Sequence, residues 1–378
     1  MKILEVNKLY YPHIGGIESL VKQYSEGLSK IEGNDVRVLV CRDGKGKGYV
    51  ETVEGVEVTR ANSWGTYFSC PLSFDFFRKF RKMSRESDVV EIHTPFPLGD
   101  AALLLSGYKG KVVVAWHSDV VKQKKLLFFY KPFMNYLLKR ADKIIVATKG
   151  HIDGSSYLPK YRDKCEIIPY GLDVEVYDSA PKTPFLTNKL NNKDNVKILF
   201  TGRLVYYKGV DVLLKAFKDV KGAELFISGS GDLENELKAY CADNGMEDRV
   251  HFMGFLSDED LKSAFADCDM FVLPSVQKSE AFGIVQIEAM INGKPVINTN
   301  LPSGVPYVSL DKVTGFTVEP SDPEQLRDAI QKLTDDETLR ASYGKAARER
   351  VLSEFNEKDI IVKLNCVLHR KRTTAREA

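Results

Sequence analysis

The chain has 378 residues, 43% of them apolar and 28% charged, which is the composition of a globular protein long enough for two cores. No apolar run approaches the roughly 20 residues that a helix needs to span a bilayer, and the N-terminus enters a strand-like run without a cleavage site, so we expect neither a membrane-spanning nor a secreted protein. Six scattered cysteines favour reduced thiols over a disulfide framework or a zinc site.

The net charge of +2 is unevenly distributed along the chain. Residues 1–170 carry 27 Lys and Arg against 19 Asp and Glu, a net of +8, whereas residues 171–378 carry 27 against 33, a net of −6. This imbalance indicates that the first half meets an anionic partner. No nucleic-acid-binding module accompanies the charge, so we expect an anionic membrane or a pyrophosphate-bearing acceptor rather than a nucleic acid.

In the first half, apolar runs of strand length alternate with stretches of helical periodicity. The predicted strands are 2–7, 35–41, 88–93, 111–117, 143–148 and 165–169. The predicted helices are 17–32, 73–84, 98–107 and 124–141. Near-continuous apolar strands alternating with helices predict a parallel sheet that is covered on both faces.

The second half repeats this rhythm. Its predicted strands are 196–201, 223–228, 249–253, 269–273, 295–298 and 315–318. Its predicted helices are 209–220, 232–244, 258–266, 283–292, 322–333 and 337–354. The polar stretch 179–195 has the composition of an interdomain linker.

The sequence therefore predicts an α/β protein with two Rossmann-like domains that face each other across a cleft. The first domain is predicted over 1–176 and the second over 177–355. A C-terminal helix within 356–378 could cross back to the first domain.

The stretch SEAFGIVQIEAM (279–290) follows a predicted strand and reads as a loop and a helix. It places Glu280 in the loop, Gly283 near the helix start and Glu288 on the helix. In a doubly wound sheet, ligands bind in such loops, and amides at a helix start suit a phosphate. Two carboxylates there can accept hydrogen bonds from sugar hydroxyls. The pattern predicts a ligand that is part phosphate and part polyol.

Basic and glycine residues follow two further strands of the second half. Arg203 and Lys208 are five positions apart, and an Arg fork with a Lys point charge binds a pyrophosphate well. Gly229 and Gly231 let the backbone approach a nucleotide, although a tight strand–helix turn is an equally simple explanation of this short pattern.

Candidate site residues in the first half also follow predicted strands. Gly15 and Gly16 lie between the first strand and a helix, where their amides can approach a phosphate or a sugar, the alternative being a plain turn. His117 ends a strand on the side where the cleft is expected, and His93 ends another. We expect His117 to act at the site and His93 to lie on the acceptor side, the alternative being structural roles.

The spacing of Asp267 and Asp269 resembles a metal–diphosphate motif, but Asp269 leads directly into a buried run and no further carboxylate clusters nearby. We interpret the pair as helix-end and strand-start residues. If Arg203 and Lys208 neutralise a leaving pyrophosphate, no metal is needed.

Taken together, and in this order over nearly the whole chain, these motifs resemble glycosyltransferase family 4, whose members are retaining transferases of the GT-B fold. The motifs are Gly15-Gly16, His117, Arg203 with Lys208, and Glu280 with Glu288 in E-x7-E spacing. The strings HTPFP, WHSD, IPYGLD and PSGVPYV further resemble bacterial O-antigen and capsule enzymes, many of which are mannosyltransferases. Tyr307 departs from the acidic residue of many relatives, so its loop is assigned no ligand.

The resemblance implies a role for each matching residue. Glu280 would contact donor-sugar hydroxyls and Glu288 the ribose, while His117 would lie beside the donor sugar. The implied catalytic residues are His117, Glu280, Arg203 and Lys208, with the two cations on the diphosphate. The implied donor-binding residues also include Gly15, Gly16, Gly229, Phe282, Gly283, Ile284, Val285 and Glu288. No cofactor and no protein nucleophile is implied, and the acceptor hydroxyl would attack on the leaving-group face.

The segment 122–143 combines seven Lys and Arg residues with many aromatic and aliphatic ones. A basic amphipathic helix can lie on an anionic membrane, with Lys122, Lys124 and Lys125 as its contacts. The alternative is a core-facing helix with a solvated basic rim, and part of the segment must be that.

The leading hypothesis is a cytoplasmic, metal-independent hexosyltransferase, peripheral on the inner face of the plasma membrane. It would move mannose from GDP-mannose to a lipid-pyrophosphate-linked glycan in O-antigen or capsule synthesis. UDP-glucose and UDP-N-acetylglucosamine are the alternative donors. A nicotinamide dehydrogenase is disfavoured because the first strand lacks the G-x-G-x-x-G fingerprint after it. A nucleotide-sugar sensor without transfer activity remains an alternative.

Overall fold

The chain divides into two compact units, each with its own sheet. In the computed structural model the described residues are 1–13, 15–67, 70–119, 124–179 and 183–371, without the side chains of 124–129. Unit 1 comprises Met1–Tyr170 and the chain from Lys358 onward, and unit 2 comprises Gly171–Glu357.

The described strands of unit 1 form an eight-stranded sheet and a small hairpin. The strands are β1 (Lys2–Val6), β2 (Asp35–Cys41), β3 (Tyr49–Val53), β4 (Val56–Ala61), β5 (Thr66–Tyr67), β6 (Cys70–Pro71), β7 (Val89–Thr94), β8 (Lys111–Trp116), β9 (Lys143–Val146) and β10 (Cys165–Ile167). The large sheet has the order β10-β9-β8-β7-β1-β2-β4-β3 and is parallel except for the β3–β4 pair. Its central strands β7 and β8 are buried at every position, as their mainly apolar sequences predict.

Helices cover both faces of this sheet. They are α1 (Gly16–Ser29), α2 (Phe74–Arg85), α3 (Pro97–Ser106), α4 (Lys124–Arg140) and α5 (Lys149–Asp153). Ser73 caps α2 by accepting a hydrogen bond from the amide of Phe76, and Thr148 caps α5 in the same way. The described second half of α4 buries Met134, Leu137 and Leu138 in the core.

Unit 2 is a six-stranded parallel sheet with helices between its strands. Its strands are β11 (Val196–Thr201), β12 (Ala223–Ser228), β13 (Val250–Gly254), β14 (Met270–Val272), β15 (Val296–Thr299) and β16 (Gly315–Val318). Its helices are α6 (Val174–Asp178), α7 (Val210–Phe217), α8 (Glu234–Asp243), α9 (Asp258–Asp267), α10 (Val285–Ile291), α11 (Val305–Val308), α12 (Pro323–Asp335) and α13 (Glu337–Glu354). The strand order β13-β12-β11-β14-β15-β16 is the doubly wound order, which reverses between β11 and β14.

The prediction of a linker over 179–195 is wrong for its described part. The amides of Leu186 and Thr187 donate to Asp267, and the amides of Asn191 and Asn192 donate to Glu224. Polar composition led to the linker interpretation, but these polar backbone groups are satisfied by two carboxylates of unit 2. Residues 180–182 lie outside the described residues.

The last helix, α14 (Glu357–His369), belongs to unit 1. Ile361 packs so closely on Gly27 of α1 that a Cβ there would lie 2.7 Å from its side chain. The ammonium of Lys111, at the start of β8, donates to the carbonyls of Val367, Leu368 and Arg370. These bonds satisfy carbonyls that the end of a helix leaves without partners. The units divide after Tyr170 and after Glu357, whereas the predicted boundaries follow residues 176 and 355.

None of the helices within the described ranges is both long and apolar enough to cross a membrane. Several short elements were not predicted, namely the β3–β4 hairpin, the β5–β6 hairpin, α5, α6 and α11. The β5–β6 hairpin, α5, α6 and α11 are too short to give a periodic apolar pattern, and β3 of the other hairpin is largely exposed.

A buried carboxyl between α3 and α4 should make stability depend on pH. Asp100 is fully buried and accepts a hydrogen bond from the Tyr130 hydroxyl, and burial raises its pKa to about 7. Since its unfolded pKa is about 3.9, its contribution to stability is complete at low pH and is lost as the pH rises towards 7.

We therefore expect the stability of Asp100→Asn to rise relative to that of the wild type between about pH 5 and pH 7. Thermal unfolding at several pH values measures this difference. A melting-temperature difference that stays constant over this range would contradict the prediction.

Candidate functional site

The strand reversal of unit 2 brings together residues that are far apart in sequence. Loops leaving β11 and β14 turn to opposite sides of the sheet, which opens a crevice at their carboxyl ends. Arg203 and Lys208 follow β11, and Glu280 follows β14. The close approach of the loops after β11 and β14 requires glycine at position 209, because a Cβ there would lie 2.1 Å from the carbonyl oxygen of Pro274.

Lys208 and Glu280 form a nearly buried ion pair. The ammonium lies 2.5 Å from Oε2 of Glu280, and each side chain is 11% exposed. The hydroxyl of Ser275 donates to the same carboxylate oxygen at 3.1 Å. The pair joins two of the residues that the sequence assigned to different parts of a donor molecule.

Arg203 extends the positive charge at this point. Its guanidinium donates to the Tyr207 hydroxyl at 2.8 Å and is exposed to solvent. Arg203 and Lys208 both lie over the Tyr207 ring, at 5.9 and 5.7 Å from its centroid. The aromatic ring therefore orients both cations, and no motif in the sequence marks it.

The start of α10 provides backbone donors beside these charges. In the described part of the chain, the amides of Gly283, Ile284 and Val285 have no hydrogen-bond acceptor. Gly283 has a φ of +72°, and a Cβ there would lie 2.5 Å from Leu273, so the turn requires glycine. The Phe282 side chain instead is buried and packs edge-on against Phe355, so it does not face solvent.

Glu288 lies on α10 and accepts a hydrogen bond from the hydroxyl of Tyr177 on α6. Burial raises the pKa of Glu288, and the Tyr177 bond partly offsets this effect. The same surroundings raise the pKa of Tyr177, so the phenol stays protonated and acts as the donor. Tyr177 is a second aromatic partner that no sequence motif marks.

Gly229 and Gly231 are explained by backbone packing. A Cβ at Gly229 would lie 2.0 Å from the carbonyl oxygen of Gly202, and a Cβ at Gly231 would lie 2.4 Å from that of Leu204. The loop after β12 thus packs directly on the loop that carries Arg203. This is the tight-turn alternative of the sequence analysis, and it positions Arg203 whether or not a ligand contacts Gly229.

His117 and His93 are neighbours within unit 1. Nδ1 of His93 lies 3.0 Å from Nε2 of His117, and Nδ1 of His117 lies 2.9 Å from the Tyr170 hydroxyl. Burial lowers the pKa of both histidines, so both rings are neutral at pH 7. His93 is 1% exposed, so its side chain is not accessible to an acceptor as predicted. It instead contacts His117 from the core of unit 1.

Gly15 and Gly16 begin α1 as expected, but the space beside them is partly occupied. The Glu18 carboxylate folds back over the helix start, and a Cβ at Gly15 would lie 2.2 Å from its Oε2. A Cβ at Gly16 would meet no atom within 4 Å. An anion approaching these amides must therefore displace or accommodate a carboxylate.

Asp267 and Asp269 have the structural roles that the sequence analysis assigned to them. Asp267 ends α9 and accepts hydrogen bonds from Leu186, Thr187 and the Lys197 ammonium. The Asp269 carboxylate accepts a hydrogen bond from the Lys197 amide at 2.7 Å.

Two other expectations concern the loop that contains Tyr307 and the basic segment 122–143. Arg350 donates to the carbonyl of Tyr307 and stacks on its ring at 5.1 Å, so this loop is held by internal contacts. Lys122 lies outside the described residues, as do the side chains of Lys124 and Lys125. The described half of α4 is the core-facing helix with a basic rim that the sequence analysis gave as the alternative.

Comparison with known proteins covers both units. A family model described as "Glycosyl transferases group 1" matches residues 183–350, and one described as "Glycosyltransferase Family 4" matches residues 14–176. The O-antigen chain mannosyltransferase C of Escherichia coli is 32% identical over 362 residues, which cover 96% of each chain. The D-rhamnosyltransferase WbpZ of Pseudomonas aeruginosa is 33% identical over 356 residues, covering 94% of this chain and 92% of that one.

A solved structure agrees with the fold. The Anabaena protein HepE in complex with UDP-glucose matches with a TM-score of 0.77 at 19% identity, covering 97% of this chain and 99% of that one. Such glycosyltransferase neighbours have the predicted GT-B fold with its two Rossmann-like domains.

The Lys208–Glu280 pair makes a prediction about stability. Lys208→Met leaves a nearly buried carboxylate beside Ser275 without its ammonium, which should cost about 3 kcal/mol of unfolding free energy. The double variant Lys208→Met/Glu280→Gln should recover most of this loss, because it leaves no unpaired charge. Urea unfolding measures both.

A control is the exposed ion pair Lys215–Asp211, whose charged atoms lie 3.0 Å apart, where Lys215→Met should cost only about 0.3–0.5 kcal/mol. Equal losses in the single and double variants of the buried pair would show that Glu280 does not depend on Lys208.

Proposed function

The chain belongs to the group 1 and family 4 glycosyltransferases, and we propose that it transfers a hexose from a nucleotide sugar to a lipid-linked glycan with retention of configuration. The observation that carries the proposal is the grouping of Arg203, Lys208 and Glu280 at the strand reversal of unit 2. Two cations beside a carboxylate match a ligand with a diphosphate next to a polyol.

Arg203 and Lys208 bind the diphosphate in this proposal. The Lys208 ammonium is paired with Glu280 at 2.5 Å. A bound diphosphate takes over the ammonium and releases the carboxylate to accept hydrogen bonds from sugar hydroxyls. The cations then oppose the charge that grows on the leaving diphosphate as the glycosidic bond breaks. This charge stabilisation is why we propose a reaction without a metal ion.

Glu288 binds the nucleoside ribose in this proposal. Its carboxylate already accepts the Tyr177 hydroxyl, which fixes its position and leaves acceptor capacity for ribose hydroxyls. The amides of Gly283, Ile284 and Val285 supply further donors to the diphosphate. His117 of unit 1 contacts the donor sugar. The acceptor hydroxyl attacks on the face that the diphosphate leaves, so no protein nucleophile is involved.

Mannose from GDP-mannose is the favoured donor group. The relative that matches over 96% of its length is named as a mannosyltransferase of the O-antigen chain. D-Rhamnose is a second candidate, because the other relative is named as a D-rhamnosyltransferase. UDP-glucose and UDP-N-acetylglucosamine remain the alternatives, and the structural neighbour HepE is described in complex with UDP-glucose.

The acceptor is proposed to be a lipid-pyrophosphate-linked glycan of surface-polysaccharide synthesis at the inner face of the plasma membrane. Within the described residues, a patch on unit 1, named here the α2 face, fits an anionic membrane. It consists of the exposed Arg78, Arg81, Lys82 and Arg85 of α2 with the apolar Phe74 and Leu105. Phe74 is 69% exposed, and its ring centroid lies 5.1 Å from that of the half-exposed Trp64. Basic groups beside exposed aromatic rings are typical of interfacial binding.

The donor assignment is tested by calorimetry with GDP, GDP-mannose and the corresponding UDP compounds. Glu288→Ala should weaken binding of free GDP, because it removes the ribose contact. Glu280→Ala should leave free GDP binding nearly intact and impair turnover. Arg203→Ala should lower turnover by roughly 30- to 1000-fold through the lost diphosphate contact.

Equal losses of GDP affinity in Glu280→Ala and Glu288→Ala would contradict the division of roles. Normal turnover in folded Arg203→Ala would contradict the diphosphate assignment. Activity that EDTA abolishes and Mg²⁺ or Mn²⁺ restores would contradict the reaction without a metal.

The membrane assignment is tested by cosedimentation with vesicles of increasing anionic-lipid content. Reversal of Arg81, Lys82 and Arg85 to Glu should release the protein, since each basic residue near such a surface contributes about 1 kcal/mol. The matched control reverses Lys122, Lys124 and Lys125, the set expected from sequence. Release by the control alone would move the contact to the start of α4, and failure of the wild type to bind at low salt would exclude membrane binding.

A further inference from the structure

A continuous chain of hydrogen bonds runs behind His117 into the core of unit 1. Oε2 of Glu5 lies 2.9 Å from Nε2 of His93, and Nδ1 of His93 lies 3.0 Å from Nε2 of His117. Nδ1 of His117 lies 2.9 Å from the hydroxyl of Tyr170. All four side chains are buried. The chain lies where the strand order of the first sheet reverses, between β1 and β7.

The inner end of this chain is a pair of carboxyl groups. Glu5 of β1 and Glu91 of β7 are register partners in the parallel sheet, and both are fully buried. Within the described ranges, Oε1 of Glu5 and both oxygens of Glu91 are buried without a hydrogen-bond donor. One atom from each of Glu5, Glu91 and His93 lies within 4.8 Å of the others. A buried arrangement of this kind needs a proton or a cation between the carboxyl groups.

A single shared proton satisfies the pair, and the surroundings decide which carboxyl holds it. Burial raises the pKa of both carboxyl groups, whereas the contact between them lowers the pKa of Glu5 and raises that of Glu91. Nε2 of His93 lies 2.9 Å from Oε2 of Glu5, where an N–H of the imidazole can donate to an ionised Glu5 and favours that form. Glu91 therefore holds the proton and donates it to Glu5.

Other ionisable groups act on the cluster from the elements packed around it. Glu18 of α1 acts on His93, Lys111 of β8 acts on Glu91, and His151 of α5 acts on His117. The effect of burial on both histidines is larger than any of these, and it keeps both rings neutral. Burial also raises the pKa of Tyr170, so its hydroxyl keeps its proton.

Counting the protons then fixes which group donates in each hydrogen bond from Glu5 to Tyr170. A neutral imidazole has one N–H. Because Glu5 is ionised, the N–H of His93 is on Nε2 and donates to it. Nδ1 of His93 then accepts, so the N–H of His117 is on Nε2. Nδ1 of His117 is left as an acceptor for the Tyr170 hydroxyl. If Glu5 were a donor instead, every bond in the chain would reverse.

We propose that Glu5, acting through His93, is a positioning residue that sets the tautomer of His117, with the proton of the carboxyl pair held on Glu91. His117 then presents Nδ1 as a hydrogen-bond acceptor at the outer end of the chain. A hydroxyl that replaces Tyr170 there must donate its hydrogen. The effect on turnover rests on the proposed function, in which His117 contacts the donor sugar, whereas the tautomer does not.

The tautomer is measured directly by long-range ¹⁵N–¹H correlation spectra of the full chain labelled at histidine. Six histidines make assignment through His→Gln variants practical. The wild type should show the proton on Nε2 of both His93 and His117. A proton on Nδ1 of His117 in the wild type would overturn the proposal without any variant at the carboxyl pair.

Two isosteric variants distinguish the carboxyl groups. Glu91→Gln replaces a group that already donates, so both histidines should keep their tautomers. Glu5→Gln removes the charge that holds the His93 proton, so His117 should lose its preference for Nε2–H. Turnover of Glu5→Gln should fall on the order of 10- to 100-fold, with a smaller change in the donor KM. Glu5→Asp, which keeps the charge, should retain the wild-type tautomers.

Equal tautomer shifts in Glu5→Gln and Glu91→Gln would overturn the assignment of the proton. One equivalent of metal in the purified protein that His93→Gln loses would show that a cation, not a proton, joins the carboxyl groups. If the chain transfers no sugar, the proposed function fails, but the spectra still decide the tautomer.

Discussion

The position of the site depends on how parallel sheets are connected. Every parallel strand needs a crossover that returns the chain to the same edge, so all loops at the carboxyl ends meet there. Where the order reverses, neighbouring loops leave in opposite directions and expose the strand ends. In unit 2 this happens between β11 and β14, where Lys208 and Glu280 meet. In unit 1 it happens between β1 and β7, where Glu5 and Glu91 meet.

Both reversals contain charge that the interior cannot leave uncompensated. An isolated buried charge costs several kcal/mol, so it must be paired or neutralised. Lys208 and Glu280 solve this with opposite charges, and Glu5 and Glu91 solve it, in our proposal, with a shared proton. The difference has a functional consequence, because an ion pair can be opened by an anionic ligand, whereas a sealed carboxyl pair can only orient its neighbours.

Local patterns predicted the regular elements well. The strands 35–41, 196–201 and 223–228 have the predicted bounds, since strands in the interior of a parallel sheet are mainly apolar. The β3–β4 hairpin was missed because its sheet-edge strand is largely exposed and polar. The segment 183–195 was misread because polar composition does not reveal that Asp267 and Glu224 accept its amides.

The sequence by itself determined the fold class, the family resemblance and the positions of Arg203, Lys208, Glu280 and Glu288 after their strands, because strand ends and short motifs are local in the chain. Only the tertiary structure decided which side chains are partners. Tyr207, Tyr177 and Ser275 carry no motif, and Glu5 and Glu91 are 86 residues apart within apolar runs. Their pairing depends on strand register and on the desolvation of the core, which no stretch of sequence contains.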